Sequence, residues 1–200
     1  MSEQYFTSTP TSGHRYAKFE TEILGNTVVF HTDSGVFSKD ALDFGTRTLL
    51  EAVPELYGRI LDLGCGWGAV GVSVGKKYPE TEIVMSDVNE RAMELAVKNL
   101  RENGVTNATV QKSDAMDEIN GTFDFILNNP PIRAGKAVIY KMFDQASERL
   151  NAGGALYVVI RKQQGAPSAK AHLQEKFAHV QVIAKERSYW IIECKKEADA

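Results

Sequence analysis

The pattern of apolar and polar residues along the chain switches between a period of two, typical of strands, and a period near 3.6, typical of helices. Near the N-terminus, residues 19–23 and 28–30 alternate with a period of two. Gly25 and Asn26 lie between these two runs, and this pair is a common turn sequence. The pattern therefore predicts an N-terminal β-hairpin.

A first helix is predicted over residues 39–53. Leu42, Leu49 and Val53 are spaced so that they share one face of such a helix. Ser38 precedes the run, and a serine side chain at this place can accept a hydrogen bond from a free backbone N–H. We therefore expect Ser38 to be the N-cap.

From there to the C-terminus, strand patterns and helix patterns alternate. Gly153 and Gly154 are expected to close the last long helix before the fifth strand, and the short link between the final two runs favours a hairpin rather than a helical crossover. Alternation of this kind predicts an α/β fold: a doubly wound, Rossmann-like, seven-stranded sheet, mostly parallel with an antiparallel last strand, plus the N-terminal hairpin. The predicted strands cover residues 60–63, 83–86, 109–112, 123–127, 155–160, 180–184 and 189–193, and the helices cover residues 69–78, 90–103, 136–150 and 168–177.

Composition is that of an ordinary globular protein and predicts a cytoplasmic enzyme. The 200 residues are 43% hydrophobic and 24% charged. No apolar run approaches the roughly 20 residues that a membrane-spanning helix needs, and two cysteines are too few for a disulfide framework. We predict a flexible N-terminal arm over residues 1–18 and one domain over residues 19–200, with no contact to a membrane.

The net charge of −3 and the sequence pI near 5.9 give no global support for binding to nucleic acid. Proteins that bind nucleic acid usually carry a basic patch or stripe. A local patch is still compatible with these values, so the charge argues against an RNA substrate without excluding one.

The most informative stretch is residues 60–68, which read Ile-Leu-Asp-Leu-Gly-Cys-Gly-Trp-Gly. It predicts a buried strand, a turn with three glycines at alternate positions, and then a helix. Glycine allows the backbone to approach a ligand closely, and the N-terminus of the helix offers free N–H groups. This arrangement is typical of a nucleotide site.

Polar residues follow four of the predicted strands directly. Asp62 ends the first strand, Asp87 the second, Asp114 follows the third, and residues 129–131, Asn-Pro-Pro, follow the fourth. In a doubly wound sheet the ligand lies at the carboxyl ends of the strands. Four such positions on one edge predict a binding site there.

Each position also has a purely structural explanation. A glycine-rich turn alone is weak evidence, since tight turns between a strand and a helix use glycine anyway. Asp87 can cap the following helix, Asp114 can be a solvated loop acid, and Pro130 and Pro131 can simply terminate a strand. The coincidence of all four favours a functional site.

The identity of the ligand depends on Asp62. Residues 64–69 also fit the glycine fingerprint of a dinucleotide site, but an acid two residues before Gly64 would repel a pyrophosphate. S-adenosylmethionine (SAM) carries an ammonium and a sulfonium instead, and an acid attracts both. Asp87 suits the hydroxyls of its ribose and Asp114 its adenine amino group. We therefore predict SAM rather than a nicotinamide dinucleotide.

These residues resemble the motifs of class I SAM-dependent methyltransferases. More narrowly, the chain resembles the catalytic domain of the ribosomal RNA small-subunit methyltransferase C family, whose enzymes methylate guanine N2. It is also similar to the short, single-domain YbxB-type members of this family. The segments that carry this resemblance are residues 35–38, 42–45, 62–66, 129–136 and 163–168, together with Asp87 and Asp114.

The resemblance implies a role for each of these positions. Asn129, Pro130 and Pro131 would be catalytic: the Asn129 side chain and the Pro130 carbonyl would accept hydrogen bonds from the target amino group. The residues implied to bind SAM are Asp62, Gly64, Cys65, Gly66, Gly68, Asp87, Val88, Asp114, Ala115 and Asn129. No metal is implied, and the implied partner is ribosomal RNA or the small ribosomal subunit.

One position departs from the family pattern. Ile132 stands where amine methyltransferases usually carry an aromatic residue that stacks on the target base. We hypothesise that Phe37 covers the base instead, although burial in the core is an equally good explanation for a phenylalanine. Arg133 and Lys136 are expected to contact RNA phosphates or the base, and Arg161 and Lys162 to extend this basic surface.

Three other functions stay open at this point. The first is methylation of another amine, on a protein glutamine or a small molecule, which the acidic pI and Ile132 leave possible. The second is a non-catalytic module that binds SAM or RNA during assembly, against which the intact Asn-Pro-Pro sequence argues. The third is a nicotinamide oxidoreductase, against which Asp62 argues.

Overall fold

A computed structural model describes residues 8–9, 11–38 and 40–200 and arranges them around two β-sheets. The smaller sheet is the predicted hairpin, in which β1 (Ala17–Ile23) pairs with the antiparallel β2 (Asn26–Thr32). Leu24 and Gly25 form its turn, with φ angles of 51° and 78°. The predicted hairpin is thus confirmed.

The larger sheet has seven strands, and all but one run parallel. The exception is the last strand, which lies antiparallel between its two neighbours and completes the hairpin expected from the short link. The order across the sheet is β5-β4-β3-β6-β7-β9-β8. Its strands are β3 (Arg59–Leu63), β4 (Glu82–Asp87), β5 (Ala108–Lys112), β6 (Phe123–Asn128), β7 (Leu150–Arg161), β8 (His179–Glu186) and β9 (Tyr189–Lys195).

In the described part of the chain, five α-helices cover the two faces of this sheet, with an apolar core on each side. On one face, the core includes Leu49, Val72 and Leu95 together with Phe30 of the hairpin. The other core contains residues of the last two helices. The doubly wound fold is therefore confirmed. The helices are α1 (Phe44–Ala52), α2 (Ala69–Lys77), α3 (Glu90–Glu102), α4 (Lys136–Arg149) and α5 (Ala166–Gln174).

The first helix begins later than the sequence pattern predicts. Asp43, not Ser38, is its N-cap: one Asp43 side-chain oxygen accepts a hydrogen bond of 2.9 Å from the backbone N–H of Thr46. Ser38 has a φ of 50°, which is not helical, and its hydroxyl donates to the carbonyl of Ala41. Lys39, the predicted first residue, lies outside the described residues. Aspartate and serine are about equally good N-caps, so the cap residue depends on where α1 begins as it packs on the sheet.

Gly153 and Gly154 do not close a helix, contrary to the prediction. Helix α4 ends at Arg149, and β7 begins at the next residue and runs through both glycines. A Cβ atom on Gly154 would lie 2.7 Å from the backbone oxygen of Asp124 on β6. Glycine is therefore needed because two backbones approach each other closely.

Part of the predicted N-terminal arm is described, and it lies against α3. The backbone N–H of Glu90 donates to the Ser8 carbonyl at 3.0 Å, and the Arg91 guanidinium donates to the Ser12 carbonyl at 2.9 Å. His14 contacts the buried Asp33 at 2.6 Å. Residues 1–7 and 10 lie outside the described residues, so the division at residue 18 stays a prediction. No helix in the described ranges is both long and apolar enough to cross a membrane.

Candidate active site

A cleft of about 1070 Å³ opens at the carboxyl ends of the parallel strands. It lies where the chain changes direction across the sheet, since β3 is followed by β4 on one side and has β6 on the other. Ligands of doubly wound proteins bind at such a switch point. The segments that follow β3, β4, β5 and β6 all contribute to its lining.

The glycine turn after β3 is fastened to the end of β4. One Asp87 oxygen accepts from the Gly66 N–H at 2.7 Å, and the other accepts from the Asn89 N–H at 2.9 Å. Gly66 has a φ of 55°, and a Cβ atom there would meet no atom within 4 Å, so its backbone borders open space. Burial raises the pKa of Asp87, although backbone N–H bonds oppose the change.

Asp62 forms the floor of the cleft at the end of β3. Its side chain is 3% exposed and accepts one hydrogen bond of 2.8 Å from the backbone N–H of Gly71 in α2. Burial, reinforced by the charge of Asp87, raises the pKa of Asp62 to about 7, against the effect of the Gly71 bond. A buried acid next to a half-buried one favours a positively charged ligand.

The side-chain hydroxyl of Ser86 lies in the same part of the cleft as these two acids. Ser86 lines the cleft, and within the described part of the chain its buried hydroxyl has no hydrogen-bond partner. Buried hydroxyls are normally bonded, so an orphan in a cleft indicates room for a polar ligand atom. The acids, the open Gly66 backbone and this hydroxyl together fit a cationic nucleoside such as SAM.

The segment after β5 also lines the cleft, and its Asp114 side chain is more exposed than Asp62 or Asp87. The Asp114 side chain is 64% exposed, and one of its oxygens lies 3.4 Å from the Lys141 ammonium. Ala115 is buried and has a φ of 49°, in the left-handed region. Asp114 is accessible to a ligand amino group, and the unusual turn at Ala115 holds the loop against the cleft wall.

The segment after β6 begins with Asn129 and continues through two prolines into a short 3₁₀ turn, Ile132–Ala134. The Asn129 amide nitrogen donates to the Thr46 hydroxyl at 3.0 Å and lies 3.4 Å from a side-chain oxygen of Asp43. Thr46 is 5% exposed. The amide of Asn129 is therefore bonded on its nitrogen side to the start of α1.

The structure brings most of the predicted site residues together. Two do not line the cleft: a Cβ atom on Gly68 would meet Met85 and Ala96 in the interior, and Lys136 is exposed at the start of α4. The roles of the others remain predictions, but their common location is established. The predicted residues that line the cleft are Phe37, Asp62, Gly64, Cys65, Gly66, Asp87, Val88, Asp114, Ala115, Asn129, Pro130, Pro131, Ile132 and Arg133.

Several lining residues were missed by the sequence analysis as site residues, notably Asp43, Thr46 and Ser86. Asp43 and Thr46 have the three-residue spacing of an N-cap and the residue that it caps, and this spacing gives no sign of their contact with Asn129. Tyr189 also lines the cleft, because β9 runs antiparallel and so begins at this edge. Across the described residues, no group of three His, Cys, Asp or Glu side chains is placed to hold a metal ion.

Comparison with known families agrees with this geometry. The model of the Methyltransferase small domain family matches residues 27–193, which include the whole large sheet except the last two residues of β9. The chain belongs to this family. SAM is accordingly the cofactor, and the predicted methyltransferase resemblance is confirmed.

Two relatives by sequence represent this family at different lengths. The chain is 43% identical to YbxB of Bacillus subtilis, an uncharacterized protein, over 98% of this chain and 100% of YbxB. It is 36% identical to ribosomal RNA small subunit methyltransferase C of Haemophilus influenzae, over 80% of this chain and 49% of that protein. The chain thus spans about half the length of the methyltransferase C relatives.

Solved structures extend the comparison. The T. thermophilus 16S rRNA N2 G1207 methyltransferase, RsmC, in complex with AdoMet and guanosine, is 28% identical with a TM-score of 0.83, over 94% of this chain and 52% of that chain. A ribosomal protein L11 methylase from Lactobacillus delbrueckii is 20% identical with a TM-score of 0.64, over 76% of this chain and 77% of that chain, and shows the fold alone. The protein is a SAM-dependent methyltransferase homologous to RsmC.

Proposed function

We propose that the protein transfers a methyl group from SAM to the exocyclic N2 amino group of a guanine in small-subunit ribosomal RNA. The observation that carries the proposal is Asn129, whose amide nitrogen is bonded to the protein while its amide oxygen has no donor among the described residues. An acceptor at the carboxyl end of β6 suits an amino group, which has hydrogens to donate. RsmC of T. thermophilus, the N2 G1207 enzyme, supports guanine as the base.

SAM would be held in the half of the cleft that is formed by the ends of β3, β4 and β5. Asp62 suits the ammonium of SAM, Asp87 its ribose hydroxyls, and Asp114 its adenine amino group. When bound, SAM supplies a methyl group on a positively charged sulfur, which is a good leaving group. Burial of Asp62 and partial burial of Asp87 strengthen their attraction for a cation, because the interior screens charge less than water does.

The other half of the cleft, formed by the segment after β6, would act by positioning the target amino group. The Asn129 amide oxygen and the Pro130 carbonyl would accept the two hydrogens of the amino group, and this fixes the direction of the nitrogen lone pair. The same two acceptors would stabilise the positive charge that develops on nitrogen as its bond to the methyl carbon forms and the carbon–sulfur bond breaks. The methylated nitrogen would then lose one proton to water, and the demethylated cofactor would leave as a neutral thioether. Pro130 and Pro131 restrict the backbone, so that the acceptors need not be ordered during the reaction.

A cationic rim beside the cleft supports RNA as the substrate. We define it as Arg161, Lys162 and Arg187, which are exposed where β7 ends and β8 turns into β9. The Arg161 guanidinium lies 4.7 Å from the ring centre of Tyr189, and that of Arg187 lies 4.4 Å from the ring centre of Phe44. Exposed Arg and Lys side chains attract the phosphates of a nucleic acid, and guanidinium planes can also stack on unpaired bases.

This rim supports the RNA proposal despite the net charge of −3. The backbone N–H of Lys162 donates to the Ser188 carbonyl at 2.8 Å, which holds the two parts of the rim together. Arg161 of the rim lines the same cleft as Asn129, so positive charge lies beside the candidate catalytic residues although the chain as a whole is acidic. A protein glutamine or a neutral small molecule gives no reason for such a rim, which favours the RNA proposal over those alternatives.

The substrate is tested with small ribosomal subunits isolated from a strain in which this gene is deleted. The purified protein and SAM labelled in its methyl group are expected to produce one N2-methylguanosine in the rRNA, identified by nuclease digestion and mass spectrometry. Subunits from the parent strain are the control and should accept little label, because the site is already modified. Label in the protein fraction, or none in the rRNA, would refute the proposal.

The raised pKa of Asp62 gives a pH prediction for cofactor binding. Below pH 7 its carboxyl is mostly protonated and neutral, and above pH 7 it is mostly ionised and attracts the cofactor ammonium. The ratio of the Kd for SAM of Asp62→Asn to that of the wild type should therefore rise about tenfold between pH 6 and pH 8. Isothermal titration calorimetry measures both values at each pH. Titration of SAM itself affects both proteins equally and therefore cancels in the ratio. A ratio that stays constant between pH 6 and pH 8 would contradict the prediction.

A further inference from the structure

Three side chains form a hydrogen-bonded chain that connects the start of α1 to the candidate catalytic segment. The Asn129 amide nitrogen lies 3.0 Å from the Thr46 hydroxyl oxygen, and that oxygen lies 3.2 Å from a carboxylate oxygen of Asp43. The same Asp43 oxygen accepts the Thr46 backbone N–H at 2.9 Å. We call this arrangement the Asp43–Thr46–Asn129 chain.

The direction of every bond in this chain follows from its first member. A carboxylate has no hydrogen and can only accept, so the single hydroxyl hydrogen of Thr46 points to Asp43. Towards Asn129 the hydroxyl can then offer only a lone pair. The amide of Asn129 must present its NH₂ group to Thr46, because the opposite orientation would place two acceptors against each other. Its oxygen is consequently turned away from α1.

Burial makes this orientation costly to reverse. The Thr46 side chain is 5% exposed, so water has little access to replace the Asn129 amide. Asp43 is held in place as the N-cap of α1, and α1 packs on β7 and β9 of the large sheet. Donation from the NH₂ group also polarises the amide and makes its oxygen a better acceptor.

We infer that Thr46 and Asp43 are positioning residues that fix the Asn129 amide with its oxygen available as an acceptor, and so select an amino group as the methyl acceptor. A flipped amide would present NH₂, which repels an amino group and suits a ring nitrogen or a carbonyl. The inference rests on the proposed function for its account of the substrate. The orientation of the amide rests only on the chain of bonds and is tested separately.

The kinetic test compares Thr46→Val with Thr46→Ser. Valine has nearly the shape of threonine but no hydroxyl. The Asn129 amide then loses its bond of 3.0 Å to Thr46 and keeps only the longer contact of 3.4 Å to Asp43, so kcat on small ribosomal subunits should fall about 10- to 100-fold. The KM and Kd for SAM should stay within about twofold, since the cofactor residues are untouched. Thr46→Ser keeps the hydroxyl and should restore most of kcat.

Thr48→Val is the matched control for these variants. Thr48 is a buried threonine two residues further along α1, and its hydroxyl donates to the Phe44 carbonyl rather than to the catalytic segment. The same substitution there should leave kcat unchanged. Equal losses of kcat in the two valine variants, or equal losses of kcat and of SAM affinity in Thr46→Val, would show a merely structural effect and would overturn the inference.

A second measurement is made on the wild-type protein and requires neither catalytic turnover nor a variant. The side-chain NH₂ of Asn129 is observed by NMR in ¹⁵N-labelled wild-type protein, and it should exchange with water more slowly than the exposed amide of Asn120. Exchange as fast as that of Asn120 would overturn the inference, whatever the variants do. Failure of the wild type to methylate small subunits would instead refute the proposed function, and the exchange rate would still decide the orientation.

Discussion

Changing Asn129 to alanine is expected to lower kcat by about 10³-fold while the Kd for SAM changes by less than about threefold. Alanine removes the amide oxygen that would accept a hydrogen of the target amino group. It also removes the NH₂ group that donates to the Thr46 hydroxyl. We expect kcat to fall and the Kd for SAM to change little, because Asp62 and Asp87, which are proposed to bind the cofactor, lie on other strands.

Single-turnover transfer to small ribosomal subunits measures the first quantity, and calorimetry measures the second. Asn120→Ala is the matched control, because Asn120 is an exposed asparagine just before the start of β6 while Asn129 follows its end. That variant should behave as the wild type. An Asn129→Ala protein that loses SAM binding but turns over normally when saturated would contradict the assignment of Asn129 to the amino group.

Changing Asp87 to alanine is expected to have the opposite profile, raising the Kd for SAM by about 100-fold and changing kcat at saturating SAM only a few-fold. The carboxylate would be lost as an acceptor for the ribose hydroxyls. In addition, the backbone N–H of Gly66 loses the bond of 2.7 Å that fastens the glycine turn to β4. Both effects weaken the cofactor half of the cleft and leave Asn129 and Pro130 in place.

Glu82→Ala is the matched control for this second prediction. Glu82 is an exposed acid at the opposite end of the same strand, so the variant makes the same change in net charge away from the cleft. Thermal unfolding of both variants checks that they remain folded. Unchanged SAM affinity in a folded Asp87→Ala protein would remove Asp87 from the site.

Much of the fold could be predicted because it depends on local patterns. Buried parallel strands are short and apolar and amphipathic helices have a 3.6-residue period, and these signals located all seven strands of the large sheet. The errors arose where a local signal had two meanings. Ser38 and Asp43 are both suitable caps, and only packing of α1 on the sheet selects Asp43. Gly154 reads as a helix terminator but is a place where β6 and β7 approach closely.

The candidate site was predictable to a similar degree, for a geometric reason. Asp62, Asp87 and Asn129 each end a parallel strand, and the carboxyl ends of parallel strands share one edge of the sheet. Their common location in one cleft therefore follows from strand order without knowledge of any contact. Gly68, by contrast, belongs to the same glycine turn but faces the interior, a difference that depends on the direction of its backbone.

The sequence by itself determined the alternation of strands and helices and the polar residues at the strand ends, since both depend on spacing along a few turns of chain. Only the tertiary structure decided that Asp62 is buried enough for a pKa of about 7, and that the Asn129 amide is bonded through its nitrogen. Thr46 and Asn129 are 83 residues apart in the chain. Burial and hydrogen-bond direction depend on such distant neighbours, which no local pattern contains.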